Sequence, residues 1–148
     1  MKCVLQRVSG ASVVVDGKSV GSIGLGWLAL VCAEVGDAPA DADWLADRVA
    51  GVRAFSDQDG KMNRSVRDVA GSVLVVSQFT LAANLAKGRR PSFEGAMEPV
   101  GAKALCDRFT AALGALEVPT AAGVFGADMK VSLTNDGPVT LLLESRGR

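Results

Sequence analysis

The sequence predicts an α/β fold in one domain spanning residues 1–148, with a mainly antiparallel sheet and two principal helices. Three observations carry that reading. Short apolar runs, alternating or continuous and broken by Gly and Asp-Gly turns, occupy both ends of the chain. Two other stretches place apolar residues three or four apart, the period of a helix buried on one stripe. Finally, 148 residues of which 49% are hydrophobic and 22% charged suffice for one core that needs no disulfide or metal.

In chain order, Met1 to Val8 and Ser12 to Val15 read as strands, and Asp16-Gly17 after them is a two-residue hairpin signal. Val20 to Ile23 continues the meander, and Gly24-Leu25-Gly26 turns the chain. Trp27 to Val35 is apolar enough to be a strand buried on both faces. Pro39 then sits where a first helical turn tolerates it, and Leu45, Val49 and Val52 recur at helical spacing. Asp57-Gln58-Asp59-Gly60 is a turn, and Ser72 to Ser77 a central strand. Ala83 to Met97 is a polar, basic loop long enough to suggest a function. Pro99 starts a second helix with Leu105, Phe109, Leu113 and Leu116 on one stripe, and strands follow near Lys130 to Leu133 and Val139 to Glu144. The Arg146-Gly147-Arg148 tail is expected to fray.

Composition excludes whole chemistries. The chain has no histidine, so it has no Ser-His-Asp or Cys-His pair, no HExxH zinc site and no imidazole base. Cys3, Cys32 and Cys106 are far apart and never form a CxxC pair, which signals neither a disulfide framework nor a zinc site. No cofactor or metal is called for. Sixteen basic residues balance sixteen acidic ones, which argues against coating nucleic acid or an anionic membrane by bulk charge, and no DNA or membrane partner is expected. The first residues lack the long apolar core of a signal peptide, and a reducing cytoplasm suits the free cysteines.

Apparent motifs mostly dissolve on inspection. Gly17-Lys18-Ser19 resembles the end of a phosphate-binding loop but has Ser12 where the motif needs glycine. Asp57 and Asp59 lack the glycine position and the closing Glu of a calcium loop. Three segments remain. Lys87, Arg89 and Arg90 concentrate positive charge beside Phe93, the pairing that holds a phosphodiester and stacks on a base; the alternatives are a solvated surface and a core anchor. Ser77-Gln78-Phe79-Thr80 sets polar groups abruptly at the end of an apolar strand, where sites are built and where hydroxyls also merely cap. Asn135-Asp136-Gly137-Pro138-Val139-Thr140 is a turn, and a cis Gly-Pro bond in it would fix two carbonyl oxygens in one direction.

Together these segments identify a resemblance. Through Gln6-Arg7-Val8, Gly60-Lys61-Met62-Asn63, Ser77 to Leu81, Lys87 to Phe93, Gly123 to Met129 and Asn135 to Thr140, the chain resembles the D-aminoacyl-tRNA deacylase family nearly from end to end. The resemblance implies a barrel-like sheet of that family's type. It also implies a cytoplasmic homodimer that hydrolyses the ester between a D-amino acid and the 3′ end of tRNA, and that acts on mischarged glycyl-tRNA(Ala) as well. Gly137 and Pro138 would be cis and reach into the partner subunit's pocket, excluding L-amino acids. Ser77, Gln78, Phe79 and Thr80 would form the catalytic segment. Arg7 would brace the Gly-Pro turn, and Lys87, Arg89, Arg90, Phe93 and Met129 would support substrate or RNA binding.

Such a site answers the missing histidine. An aminoacyl ester is already activated, so main-chain N–H groups around Phe79 and Thr80 would need only to orient it and stabilise an oxyanion, with help from the ribose 2′-hydroxyl. Thr80 has no base beside it in sequence, which favours positioning over nucleophilic attack. Two other classes stay open on sequence alone: a non-catalytic RNA-end or metabolite-binding oligomer, and an esterase with a threonine nucleophile.

Overall fold

A computed structural model describes residues 1–86 and 88–146. The chain runs β1 (Lys2–Val15), β2 (Lys18–Ile23), β3 (Gly26–Cys32), α1 (Pro39–Gly51), β4 (Phe55–Ser56), β5 (Met62–Arg64), β6 (Ser72–Ser77), a 3₁₀ turn (Phe79–Ala82), α2 (Pro99–Ala115), β7 (Thr120–Ala122) and β8 (Lys130–Glu144). The main sheet has the order β2-β1-β3-β6-β7, with β8 on the other edge of β1. Pairing is antiparallel around β1, while β3, β6 and β7 are mutually parallel. A β-carbon on Gly21 of β2 would lie 2.7 Å from the Ala122 carbonyl oxygen of β7, so the sheet curls until its two edges nearly meet.

The two strands expected at the start are one, β1, and the reason lies in its phase. Its buried residues are Cys3, Leu5, Val8, Ala11 and Val13. The steps from 5 to 8 and from 8 to 11 break strict alternation, and register against β8 shifts at the same two places. Such bulges bend and twist a strand. Here they let the first half of β1 pair with β3 and the second half with β2. The hairpin between β1 and β2 has Asp16 at φ 48° and Gly17 at φ 75°, the left-handed pair that a two-residue turn requires.

Strands β3 and β6 are buried on both faces, as their unbroken apolar runs predict. Trp27, Ala29, Val31, Val73 and Val75 face the helices, while Leu28, Leu74 and Val76 join Val8 and Val13 inside the barrel. Gly26 makes the parallel pairing feasible, because a β-carbon there would meet the Ser72 carbonyl oxygen at 1.8 Å. Leu45 and Val49 of α1 and Leu105, Phe109 and Leu113 of α2 cover the outer face. The Asp41 carboxylate accepts from the Ala38 N–H to cap α1, and Glu98 accepts from Val100 and Gly101 to cap α2. Arg108 bridges the two helices by donating to both oxygens of Asp43 at 2.8 and 2.7 Å.

The expected fray at the C-terminus needs one correction. Arg146 is docked: its Nη2 lies 3.0 Å from Asp37 Oδ1 and donates to the Val35 carbonyl. Gly147 and Arg148 lie outside the described residues. Among the described residues no helix is long and apolar enough to cross a membrane.

Candidate active site

A cavity of about 500 Å³ opens where the parallel strands β3 and β6 end, closed on the far side by the start of α2 and by residues 125–131. The carboxyl ends of parallel strands are where α/β sheets usually place ligands, because the chain must leave the sheet there and exposes main-chain groups. Ser77, Gln78, Phe79 and Met129 all line this cavity. Thr80 does not, but it is tied to the lining: Gln78 Nε2 donates to Thr80 Oγ1 at 2.5 Å. Gln78 is anchored in turn by its own N–H, which donates to the Val31 carbonyl at 2.7 Å.

The chain leaves β6 through a short 3₁₀ turn, and this gives the segment its chemistry. The Leu81 N–H returns to the Gln78 carbonyl and the Ala83 N–H to that of Thr80. The N–H groups of Phe79 and Thr80 stand at the start of the turn, and among the described residues neither meets an acceptor. Phe79, which lines the cavity, and its neighbour Thr80 thus each keep a main-chain donor without an acceptor among the described residues. The Phe79 ring is 58% exposed at the mouth and is held edge-on by Phe93, centroid to centroid at 5.0 Å. Phe93 is half-buried against that ring.

Two lining residues carry no motif signal and are missed by sequence reasoning: Cys32 and Cys106. The Cys32 thiol sits at the end of β3 with Sγ 3.6 Å from the Phe79 carbonyl oxygen, beneath the turn. Burial raises its pKa, and the Glu34 carboxylate raises it further. Burial pushes Cys106 up to about 11. Both are therefore thiols at neutral pH, not thiolate nucleophiles. Asp128 is the one carboxylate among the described lining residues, and both its oxygens accept from Lys130 at 2.9 Å.

The Gly-Pro segment lies elsewhere. Gln6 of β1 pairs with Thr140 and Val8 with Asn135, so residues 136–139 bulge out of β8 opposite Arg7 alone. The side chains at the neck close the excursion: Asn135 Nδ2 donates to Thr140 Oγ1 at 3.1 Å, and Asn135 Oδ1 accepts from the Val139 N–H at 3.3 Å. Arg7 Nε donates to the Asp136 carbonyl at 3.0 Å, and Nη1 to the Ala54 carbonyl at 2.6 Å. The Gly137–Pro138 bond is cis, and both residues are exposed at the tip.

Within one chain the two candidate elements stay apart. Arg7 pairs with Trp27 and Trp27 with Val73, whereas Ser77 pairs with Val31. The tip is therefore three strands across and four residues along from Ser77, roughly 14 Å by 13 Å at ordinary sheet spacings. Arg7, Gly137 and Pro138 are not lining residues of the cavity. Arg89 and Arg90 are exposed on the segment that leads to Phe93, and Lys87 lies outside the described residues.

Comparison with known proteins places the chain in a family. The family model for D-Tyr-tRNA(Tyr) deacylase matches residues 4–144. Proteins named D-aminoacyl-tRNA deacylase from Geobacter sulfurreducens and Geobacter metallireducens are 57% and 59% identical; the matches cover 100% and 98% of this chain and 97% and 96% of theirs. A solved structure described as a c-Myc DNA unwinding element binding protein superposes with a TM-score of 0.91 at 37% identity, over 97% of this chain and 98% of that one. Another, described as a probable eukaryotic D-amino acid tRNA deacylase, shares the fold with a TM-score of 0.78 at 17% identity, over 96% and 97% of the two chains. The chain belongs to the D-Tyr-tRNA(Tyr) deacylase family.

Proposed function

We propose that this protein hydrolyses the ester of D-aminoacyl-tRNA, releasing the D-amino acid and tRNA, and that it works as a cytoplasmic homodimer. One observation carries the mechanistic part: Phe79, whose main-chain N–H meets no acceptor among the described residues, lines the cavity, and the Gly-Pro tip, braced by Arg7, is exposed three strands away on the same chain. A second copy brings the two together. In that assembly Gly137 and Pro138 of the partner subunit enter the cavity and present their carbonyl oxygens to the substrate α-amino group.

Fixing the amine on that side and the ester carbonyl near Phe79 and Thr80 leaves the α-hydrogen and side chain two places. An L side chain then meets main-chain atoms that have no rotamer to give, and a D side chain points to solvent. Glycine has no side chain to exclude, which extends the activity to glycyl-tRNA(Ala), and D-amino acids are told apart poorly. The Phe79 and Thr80 N–H groups stabilise the developing oxyanion, at about 3 kcal/mol for each well-placed donor. The terminal ribose 2′-hydroxyl assists departure of the ester oxygen. Ser77 and Met129 shape the cavity, Phe79 and Phe93 offer ring faces to the terminal base, and Lys87, Arg89 and Arg90 hold phosphates of the acceptor end.

Purified protein given D-tyrosyl-tRNA and L-tyrosyl-tRNA side by side, with a chelator present, tests this reading. Release of D-tyrosine only, unchanged by chelator, is expected. A second reading, a nucleic-acid-binding module without turnover, draws on the description of the 37%-identical solved relative. It predicts binding and no release of either amino acid.

A further inference from the structure

Gln78 faces the cavity, yet its side-chain amide is already engaged with its neighbour. Nε2 lies 2.5 Å from Thr80 Oγ1. An amide nitrogen can only donate, so it occupies an acceptor site on the Thr80 hydroxyl. A hydroxyl has a single proton, and among the described residues the Thr80 Oγ meets no other partner. Its proton is therefore left to donate. Both ends of Gln78 are fixed, since its N–H is held by the Val31 carbonyl and its own carbonyl holds the Leu81 N–H. These two bonds fix the main chain from which the side-chain amide reaches Thr80.

We infer that Gln78 is a positioning residue that acts through Thr80: it locks the Thr80 hydroxyl as a hydrogen-bond donor toward the ester end of the substrate, beside the free N–H groups of Phe79 and Thr80. This deepens the deacylase reading and rests on it. Three donors then converge from one turn, and Thr80 is removed as a nucleophile, because one of its lone pairs is taken and among the described residues no base receives its proton.

Replacing the amide by a carboxylate reverses the polarity of this one contact. In Gln78→Glu the ionised carboxylate accepts the Thr80 proton, and the donor toward substrate disappears. Deacylation of D-tyrosyl-tRNA is to be followed from pH 5 to pH 8 for the wild type, Gln78→Glu, Thr80→Val, Thr80→Ser and the Gln78→Glu/Thr80→Val double variant. Among the described residues that line the cavity with Gln78, Asp128, paired with Lys130, Cys32 and Cys106 are the titratable ones, and all variants share them. Their effects cancel in the ratio to wild type.

At pH 8 the expected kcat of Gln78→Glu is about tenfold below wild type with KM unchanged, the size of one lost hydrogen bond. The deficit shrinks as pH falls toward the carboxylate range, a recovery that also shows the variant is folded. Thr80→Ser retains the hydroxyl and stays well above Thr80→Val, Thr80→Val matches Gln78→Glu at pH 8, and the double variant loses no more than either single one. A constant Gln78→Glu to wild-type ratio at every pH, or additive losses in the double variant, overturns the inference. A wild-type protein that releases no D-tyrosine overturns the deacylase reading instead.

Discussion

Gly137 sits at φ +127°, where L residues are strained, and a β-carbon there would lie 2.7 Å from Arg7 Nη2 and 3.0 Å from Val139 Cγ2. Both the backbone and the guanidinium that grips the Asp136 carbonyl oppose a larger residue. Gly137→Val is expected to lower D-tyrosyl-tRNA turnover at least a hundredfold, while the thermal midpoint moves only a few degrees. Parallel D and L time courses with a melting curve check this. Thr80→Ala should keep at least a tenth of wild-type turnover, because it deletes a side-chain donor and leaves both main-chain donors in place. Near-complete loss in a folded Thr80→Ala protein would reinstate the nucleophile. At this scale the sequence exposes the motif residues but not Cys32 or Cys106. A buried thiol under a turn has no spacing signature, and only the fold brings these two to one cavity.

Strands and turns show why some elements are legible and others not. The runs at β3 and β6 are apolar throughout, and both helices repeat Leu, Val and Phe on one stripe, so their type and place follow from period alone. β1 and β8 each read as two strands because bulges break their alternation. The three-residue β7 and the two- and three-residue β4 and β5 are too short to carry a period. Phe55 ties the β4–β5 region to the core, and polar bonds hold the turns around it. Asp57 Oδ1 accepts from the N–H groups of Asp59 and Lys61, and Asp68 accepts from the N–H and hydroxyl of Ser65. These bonds hold the pKa of both carboxyls below the ordinary aspartate value, chiefly through the main-chain donors. A folded-state pKa below the unfolded one gives stability that is present above about pH 4 and is lost as pH falls through the folded value. Asp68→Asn should therefore flatten the loss of stability between about pH 4 and pH 2, while the wild-type denaturant midpoint keeps falling across that window. Urea titrations at several pH values compare the two.

For the whole molecule, the sequence gives no geometric hint that the polar strand end and the Gly-Pro turn are parts of one site, since each looks like an ordinary turn. The resemblance implies their union, while within one chain register places the tip three strands away from Ser77. The resulting claim is that one active site needs two chains, the cavity of one and the Gly137–Pro138 tip of the other. Subunit complementation tests it most directly. Ala127→Trp fills the cavity and leaves the tip intact, whereas Gly137→Val spoils the tip and leaves the cavity intact. Each variant alone should be inactive on D-tyrosyl-tRNA. After unfolding and refolding together, about half the dimers are mixed and each mixed dimer holds one intact site, so about a quarter of wild-type activity is expected to return. Mixed dimers that form, as shown by differential tags, and yet recover no activity would contradict the account, as would full D-specific activity in Gly137→Val alone.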